Sequence, residues 1–336
     1  MFGAAGLAVA NRGTLLAPVA NRSSQGSTRT PKTKKHKEVV RKSVRFGTEV
    51  GDAVAARAHQ DNYVETRNLP YAPSVGDDKW IRTPPNFGFA LEPHWGQVQS
   101  FTLKTNDECK PEAPVPYSEV PGSDFWNQAN ATYEAVNNLT DETRATALSW
   151  RDNPDGSSGL PAGHWMLIAC IAIKDQGMNL AKAAEVLALT GLALADGFTS
   201  CWTEKYETNL LRPVTYIQRV IDPNWNSFVN SPAFPEYTSG HSVGSGAAAE
   251  MLTALFGNLA FTDNTGLVNE FPSVHYNSFR EAADEAAISR LYGGIHYPMG
   301  IEVGLTQGAA VAQKVIERAV TRRKRPLKPF SSQSSD

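Results

Sequence analysis

The chain has 336 residues, of which 20% are charged and 41% hydrophobic, with a formal net charge of -2. That balance belongs to a folded globular protein, and the length suffices for one large core or two modest ones. Cys109, Cys170 and Cys201 show no CxxC spacing and include an odd one, which argues against both a zinc site and a disulfide framework.

The small net charge hides an uneven distribution. Residues 28–45 hold eight Lys or Arg against Glu38, and residues 317–328 hold six against Glu317, leaving an acidic remainder near -14. Residues 1–37 are rich in Ser, Thr, Asn and basic side chains without apolar periodicity, so a disordered basic tail is expected there. Residues 323–336 read as a second basic tail. Solvated tails are the plain reading of both, and no specific nucleic-acid partner is assigned. The N-terminal apolar patch has no basic region before it and no clear cleavage site, so compartment stays open, with export or a periplasmic location as one reading. No stretch approaches the 18 or so uninterrupted apolar residues of a membrane span.

A helical catalytic domain is expected over 38–322, beginning with a helix from about Glu38 to Arg57. Residues 68–122 are rich in Pro, Gly and aromatics and read as an extended wrapping segment, which needs a body to pack on. Trp80, Phe87, Phe89 and Trp95 are its expected anchors. From Ser123 the pattern turns helical. Ser123 is a candidate N-cap with Phe125, Ala129, Tyr133 and Val136 on one face, and a second helix starts at Thr140 with acidic residues in its first turn. HWMLIACIAIKD follows, then NLAKAAEVLALTGLALADGFTSCWTEK, apolar on most faces and therefore central. Cys170 and Cys201 fall in these runs and are expected to be buried thiols. Further helices are expected at 205–221, 241–256, 279–292 and 301–322. Strand-like alternation is scarce. The expected fold is mainly α, a single-domain helical bundle.

Three polar clusters interrupt this apolar frame. In KYETNLLRP, Lys205 and Arg212 stand seven apart, two turns on a continuous helix, so both cations would share a face. A pair of surface cations would look the same. In TSGHSVGSGAAAEML, Ser239, Gly240 and His241 open a helix, where free backbone N–H groups and the positive dipole end suit an oxyanion. An ordinary Ser cap beside a His is the plainer alternative. In SRLYGGIHYPMG, Arg290 and His296 flank a Gly-Gly turn, a pattern that a dipole-favoured terminal Arg and a loop His also produce. Together the clusters could neutralise a tetrahedral oxyanion from several sides and leave an imidazole to attack or coordinate it.

Lys-x6-Arg-Pro, Ser-Gly-His and Ser-Arg-x5-His in this order closely resemble the signature shared by vanadium-dependent haloperoxidases and type 2 phosphatidic acid phosphatases. The resemblance runs over roughly residues 39–315, including TPPNFGFALEPHWG and PAGHW, and favours bacterial haloperoxidases. It implies the helical bundle of the vanadium haloperoxidase and acid phosphatase type, with vanadate as cofactor. His296 would bind the metal; Lys205, Arg212, Ser239, the Gly240 amide and Arg290 would hold its oxygens. His241 would serve as acid or base, Lys205 would polarise bound peroxide, and Trp202 and Phe234 match positions lining a halide site. The implied reaction oxidises chloride or bromide with hydrogen peroxide and halogenates a small organic substrate. The alternatives are a soluble phosphomonoesterase with His296 as nucleophile and a non-catalytic oxyanion binder. A homodimer is allowed.

Two positions depart from the family pattern. Thr238 stands where Pro is usual, and Gly300 stands where an Asp usually follows the metal-binding His by four residues. That Asp would orient the imidazole. Glu302, two residues on, would face away on a helix beginning at Gly300, leaving a backbone carbonyl or water as further options.

Overall fold

The computed structural model describes residues 34–152, 160–321 and 329–330. Residues 1–33 and most of the expected C-terminal tail lie outside them. The chain divides into two compact units between Asn68 and Leu69.

In the first unit, helix α1 spans Lys34–Ala58 and helix α2 Tyr63–Thr66. α1 starts before the expected Glu38, its first residues being lysines that favour helix as well as solvent. Val39, Val40, Val44, Phe46, Val50 and Val54 are all exposed. Among the unit's described residues only Ala55 and Thr66 are buried.

The second unit contains the helical bundle. Its helices are α3 (Asp124–Asn137), α4 (Asp141–Ser149), α5 (Leu160–Asp175), α6 (Leu180–Thr208), α7 (Pro213–Val220), α8 (Gly240–Phe256), α9 (Phe279–Tyr292) and α10 (Pro298–Thr321). A small antiparallel pair, β1 (Phe261–Asp263) and β2 (Val274–Tyr276), lies between α8 and α9. Local chemistry sets several helix starts. The Ser123 side chain accepts from Trp126 N, Thr140 and Thr143 form a reciprocal capping box, and Asn179 accepts from Lys182 N.

α6 is long and apolar enough to cross a membrane by length and composition, but 61% of its apolar window is buried. It is the central helix expected from its all-round apolarity, packed against α5, α8 and α10. The most extensive helix pair is α8 with α10. There the backbones nearly touch: a β-carbon on Gly246 would strike the Leu305 carbonyl, and one on Gly308 the Val243 carbonyl. This close approach holds the start of α8, which carries Ser239 to His241, beside the start of α10, which follows His296.

Four expectations need correction. The helix expected over 205–221 is two helices. α6 ends at Thr208, Asn209 adopts a left-handed conformation with φ 49°, and Pro213 restarts the chain as α7. A proline's ring fits the first turn of a helix but not its middle, which explains the break. Lys205 and Arg212 therefore do not share a helix face. Cys170 is exposed, because α5 buries the face formed by His164, Trp165, Ile168, Ala169 and Ala172.

In the segment before α3, Trp80 is 1% exposed, but Phe87 and Phe89 are 56% and 81% exposed and do not anchor it. Polar contacts take their place. The buried carboxylate of Asp196 on α6 accepts from Phe101 N, Thr102 N and Thr102 Oγ1, at 2.5 to 2.8 Å. Lastly, α10 begins at Pro298, three residues before the expected start, since proline suits the first turn.

Candidate active site

The six polar residues singled out in the sequence, with Gly240, converge in the second unit. Lys205 lies in the last turn of α6 and is fully buried. Its Nζ donates to the carbonyls of Pro235 (3.1 Å), Glu236 (2.8 Å) and Thr238. These bonds tie α6 to the segment entering α8. Burial pulls the Lys205 pKa down to about 7.

Arg212 caps α7 and is likewise fully buried. Its Nε donates to Phe234 O (2.8 Å), and Nη1 donates to Ile295 O (2.8 Å) and His296 Nε2 (3.2 Å). Its Nη2 is buried without a partner among the described residues. Arg290, in the last turn of α9, donates through Nη2 to Ala147 O and through Nε to Ser289 Oγ, both at 2.9 Å. Burial lowers both guanidinium pKa values to about 10, so both stay charged at neutral pH.

Arg212 and Glu236 together set the tautomer of His296. A guanidinium only donates, so His296 Nε2 must accept and the ring proton resides on Nδ1. Nδ1 then donates to Glu236 Oε1 at 2.7 Å, and the Tyr297 amide donates to the same oxygen at 3.0 Å. Burial, followed by the charges of Arg212 and Lys205, holds the His296 pKa well below its ordinary value. The imidazole is therefore neutral, with a lone pair on Nε2 directed at the cations.

At the start of α8, Ser239 Oγ caps the helix by accepting from Ser242 N (3.3 Å), while Ser239 N donates to Gly300 O (2.9 Å). Gly240 lies against Trp202. His241 is held by a hydrogen bond to the Trp150 backbone, and its Nε2 is buried without a partner among the described residues. Burial, then the Arg290 charge, keeps its pKa well below the ordinary value. It is therefore neutral, and its Nε2 becomes a better base only when an anion offsets the Arg290 charge.

Two buried guanidinium charges, joined by the Lys205 amine that burial draws down to about 7, face Asp152 and Glu236, whose carboxyl burial pushes up to about 7. Glu236 acts on Lys205 and Arg212, and Asp152 acts on Arg290. Asp152 is also shared with His164, whose Nδ1 lies 3.1 Å from it and whose Nε2 lies 2.8 Å from Asp263 Oδ2. An excess of buried positive charge is costly unless an anion joins it. Trp202 and Phe234 stand at the edge of this cluster with ring centroids 5.0 Å apart. Lys205 Nζ lies 5.7 Å from the Trp202 ring and 5.1 Å from the Phe234 ring, and Arg212 Cζ lies 4.8 Å from Phe234.

Sequence reasoning missed two participants. Glu236 sits in plain view in FPEYTSGH, but nothing local ties it to a histidine sixty residues on. Glu302, its weighed substitute, is exposed. His164 of PAGHW is buried between Asp152 and Asp263 and stacks on Trp150 at 4.2 Å, the residue whose backbone holds His241. The only signal for it was a histidine in an apolar helix.

Comparison with known proteins concerns the fold and the family. A family model described as the VCPO second helical-bundle domain matches residues 185–324. No curated protein sequence matches. Among solved structures, one described as the first bacterial vanadium-dependent iodoperoxidase is 37% identical. The match covers 85% of this chain and 74% of that one, with a TM-score of 0.77. Holo and apo forms of a bacterial vanadium-dependent chloroperoxidase share the fold at 17% identity, with TM-scores of 0.60 and 0.62. The holo match covers 76% of this chain and 65% of that one, and the apo match 80% and 72%. With 37% identity over 85% of this chain and the helical bundle in common, the chain belongs to the vanadium-dependent haloperoxidases, enzymes that oxidise halide with peroxide.

Proposed function

We propose that the buried cluster around Arg212 and His296 holds vanadate, and that the enzyme uses it to oxidise halide with hydrogen peroxide for the halogenation of a small organic substrate. The observation that carries this reading is the Arg212 Nη2 donor, buried without a partner among the described residues and borne on the guanidinium that contacts His296 Nε2. An orphaned cationic donor beside a neutral imidazole lone pair, held only by the 3.2 Å Arg212 contact, fits an oxyanion whose central atom accepts a nitrogen ligand.

In this assignment His296 Nε2 would ligate the vanadium, and Lys205, Arg212, Arg290, Ser239 and the Gly240 amide would neutralise the oxygens. Bound vanadate would supply a Lewis-acid centre that activates peroxide without changing its oxidation state. Lys205, in its protonated form, would place positive charge beside peroxide entering the pocket. His241 Nε2, neutral and unpartnered, would receive the proton that peroxide loses, with the anion offsetting the Arg290 charge that holds its pKa down. Trp202 and Phe234 form an aromatic wall beside these cations, where a large polarizable halide would be desolvated. Iodide joins the chloride and bromide expected from sequence, because the relative at 37% identity is described as an iodoperoxidase.

The test runs iodide, bromide and chloride oxidation in parallel with p-nitrophenyl phosphate hydrolysis, on apo protein with and without orthovanadate. Halide oxidation that needs both vanadate and peroxide is expected. Phosphate release by apo protein, inhibited by vanadate, would instead assign the pocket to phosphomonoester hydrolysis with His296 as nucleophile.

A further inference from the structure

A histidine that ligates through Nε2 needs a fixed acceptor at Nδ1, which sets the tautomer and raises the basicity of the ligating nitrogen. The resemblance places that acceptor four residues after His296, in the first turn of α10, as an Asp. Here the position is Gly300, and the acceptor at 2.7 Å is Glu236 Oε1, carried by the segment that leads into α8.

The two positions occupy one space. A β-carbon built on Gly300 would lie 2.5 Å from Glu236 Oε1 and 3.0 Å from Oε2, closer than real side chains approach. We infer that Glu236 is the positioning residue for His296 and that Gly300 is the other half of the same exchange, a carboxylate moved from position 300 to position 236. This inference rests on the reading that His296 Nε2 faces the bound oxyanion.

The move changes what the histidine is fastened to. Glu236 N donates to Leu210 O at 3.0 Å, its carbonyl accepts from Lys205 Nζ at 2.8 Å, and its carboxylate accepts from His296 Nδ1 and Tyr297 N. One residue therefore links Lys205 to His296. The imidazole is oriented by the segment that builds the Ser239-Gly240 cradle, and not by α10. A role in packing alone would not select this side chain. Glu236 is fully buried and its Oε2 has no partner among the described residues, so an apolar residue would fill the space at lower cost.

The experiment compares Glu236→Ala, Gly300→Asp and the double variant with wild type. One readout is the 15N–1H NMR signature of the His296 ring in apo protein, and the other is orthovanadate affinity by 51V NMR. Wild type should show a single Nδ1–H tautomer. Glu236→Ala, with only the 3.2 Å Arg212 contact left to fix the ring, should populate both tautomers and bind vanadate about 10- to 100-fold more weakly. Gly300→Asp alone should weaken binding, since two carboxylates would compete for one space. The double variant should recover both the tautomer and most of the affinity.

An unchanged tautomer and affinity in Glu236→Ala would overturn the inference. So would a double variant no better than Glu236→Ala, because position 300 would then be no substitute. If Glu236→Ala fails to fold, Glu236→Gln keeps an acceptor without its charge and should retain the tautomer while binding more weakly; affinity equal to wild type would count against the carboxylate. A wild type with the Nδ1–H tautomer but no vanadate affinity would sink the proposed cofactor and leave the Glu236 assignment standing.

Discussion

Gly308 on α10 and the Val243 carbonyl on α8 approach so closely that no β-carbon fits between them. The contact is backbone to backbone, so no flexible side chain can give way. Gly308→Ala should therefore destabilise the protein by at least the ~1–3 kcal/mol typical of overpacking. Gly191, mid-helix in α6 with nothing within 4 Å of its added β-carbon, is the control. Gly191→Ala should be neutral or stabilising by up to about 1 kcal/mol, from helix propensity. Urea unfolding of both variants checks the pair, and equal effects would contradict the backbone contact.

Removal of His296 tests the ligand assignment. His296→Ala should abolish vanadate-dependent halide oxidation, and because it strands the Glu236 carboxylate it should also cost roughly 1–3 kcal/mol of apo stability. Turnover at the wild-type rate would exclude His296 as the metal ligand.

His241 should affect chemistry more than binding. Its Nε2 is available to take a proton, and the Trp150 backbone already holds the ring. His241→Ala should lower kcat about 10²- to 10⁴-fold while vanadate affinity changes less than tenfold. Equal losses in both quantities would point to a purely structural ring.

His164 makes stability depend on pH. Burial alone would lower its pKa, but the hydrogen bonds to Asp152 and Asp263 outweigh burial and raise it to about 9. The folded state thus holds a proton that the unfolded chain, near 6.5 for a histidine, releases earlier. The resulting stabilisation is full below about pH 6.5 and is lost as pH rises through about 9, on the order of 3 kcal/mol. Urea unfolding at about pH 6 and about pH 9.5 should show this loss in wild type and much less of it in His164→Gln. Parallel curves for the two proteins would show that His164 is not protonated in the fold.

The helices were legible from sequence because their causes are local. Ser123, Thr140 and Asn179 cap helices with their own side chains, and apolar periodicity marks the buried faces of α3 and α5. α6 betrays its central position by being apolar nearly all round. The break at Asn209 was missed, although Pro213 signalled it, because the seven-residue spacing from Lys205 to Arg212 imitates two helical turns. The exposed Phe87 and Phe89 were misread because an aromatic side chain carries no mark of whether a partner surface exists.

The sequence by itself determined the inventory of the site. Two arginines, a lysine, a capped helix start and two histidines appear in a fixed order, since residue type and local geometry are properties of short segments. Only the tertiary structure decided which groups meet. Glu236 reaches His296 across sixty residues, His164 lies between Asp152 and Asp263, and α8 rests on α10 through bare backbone. Such contacts depend on how helices distant in sequence pack, and a carboxylate can enter one buried space from either of two chain positions.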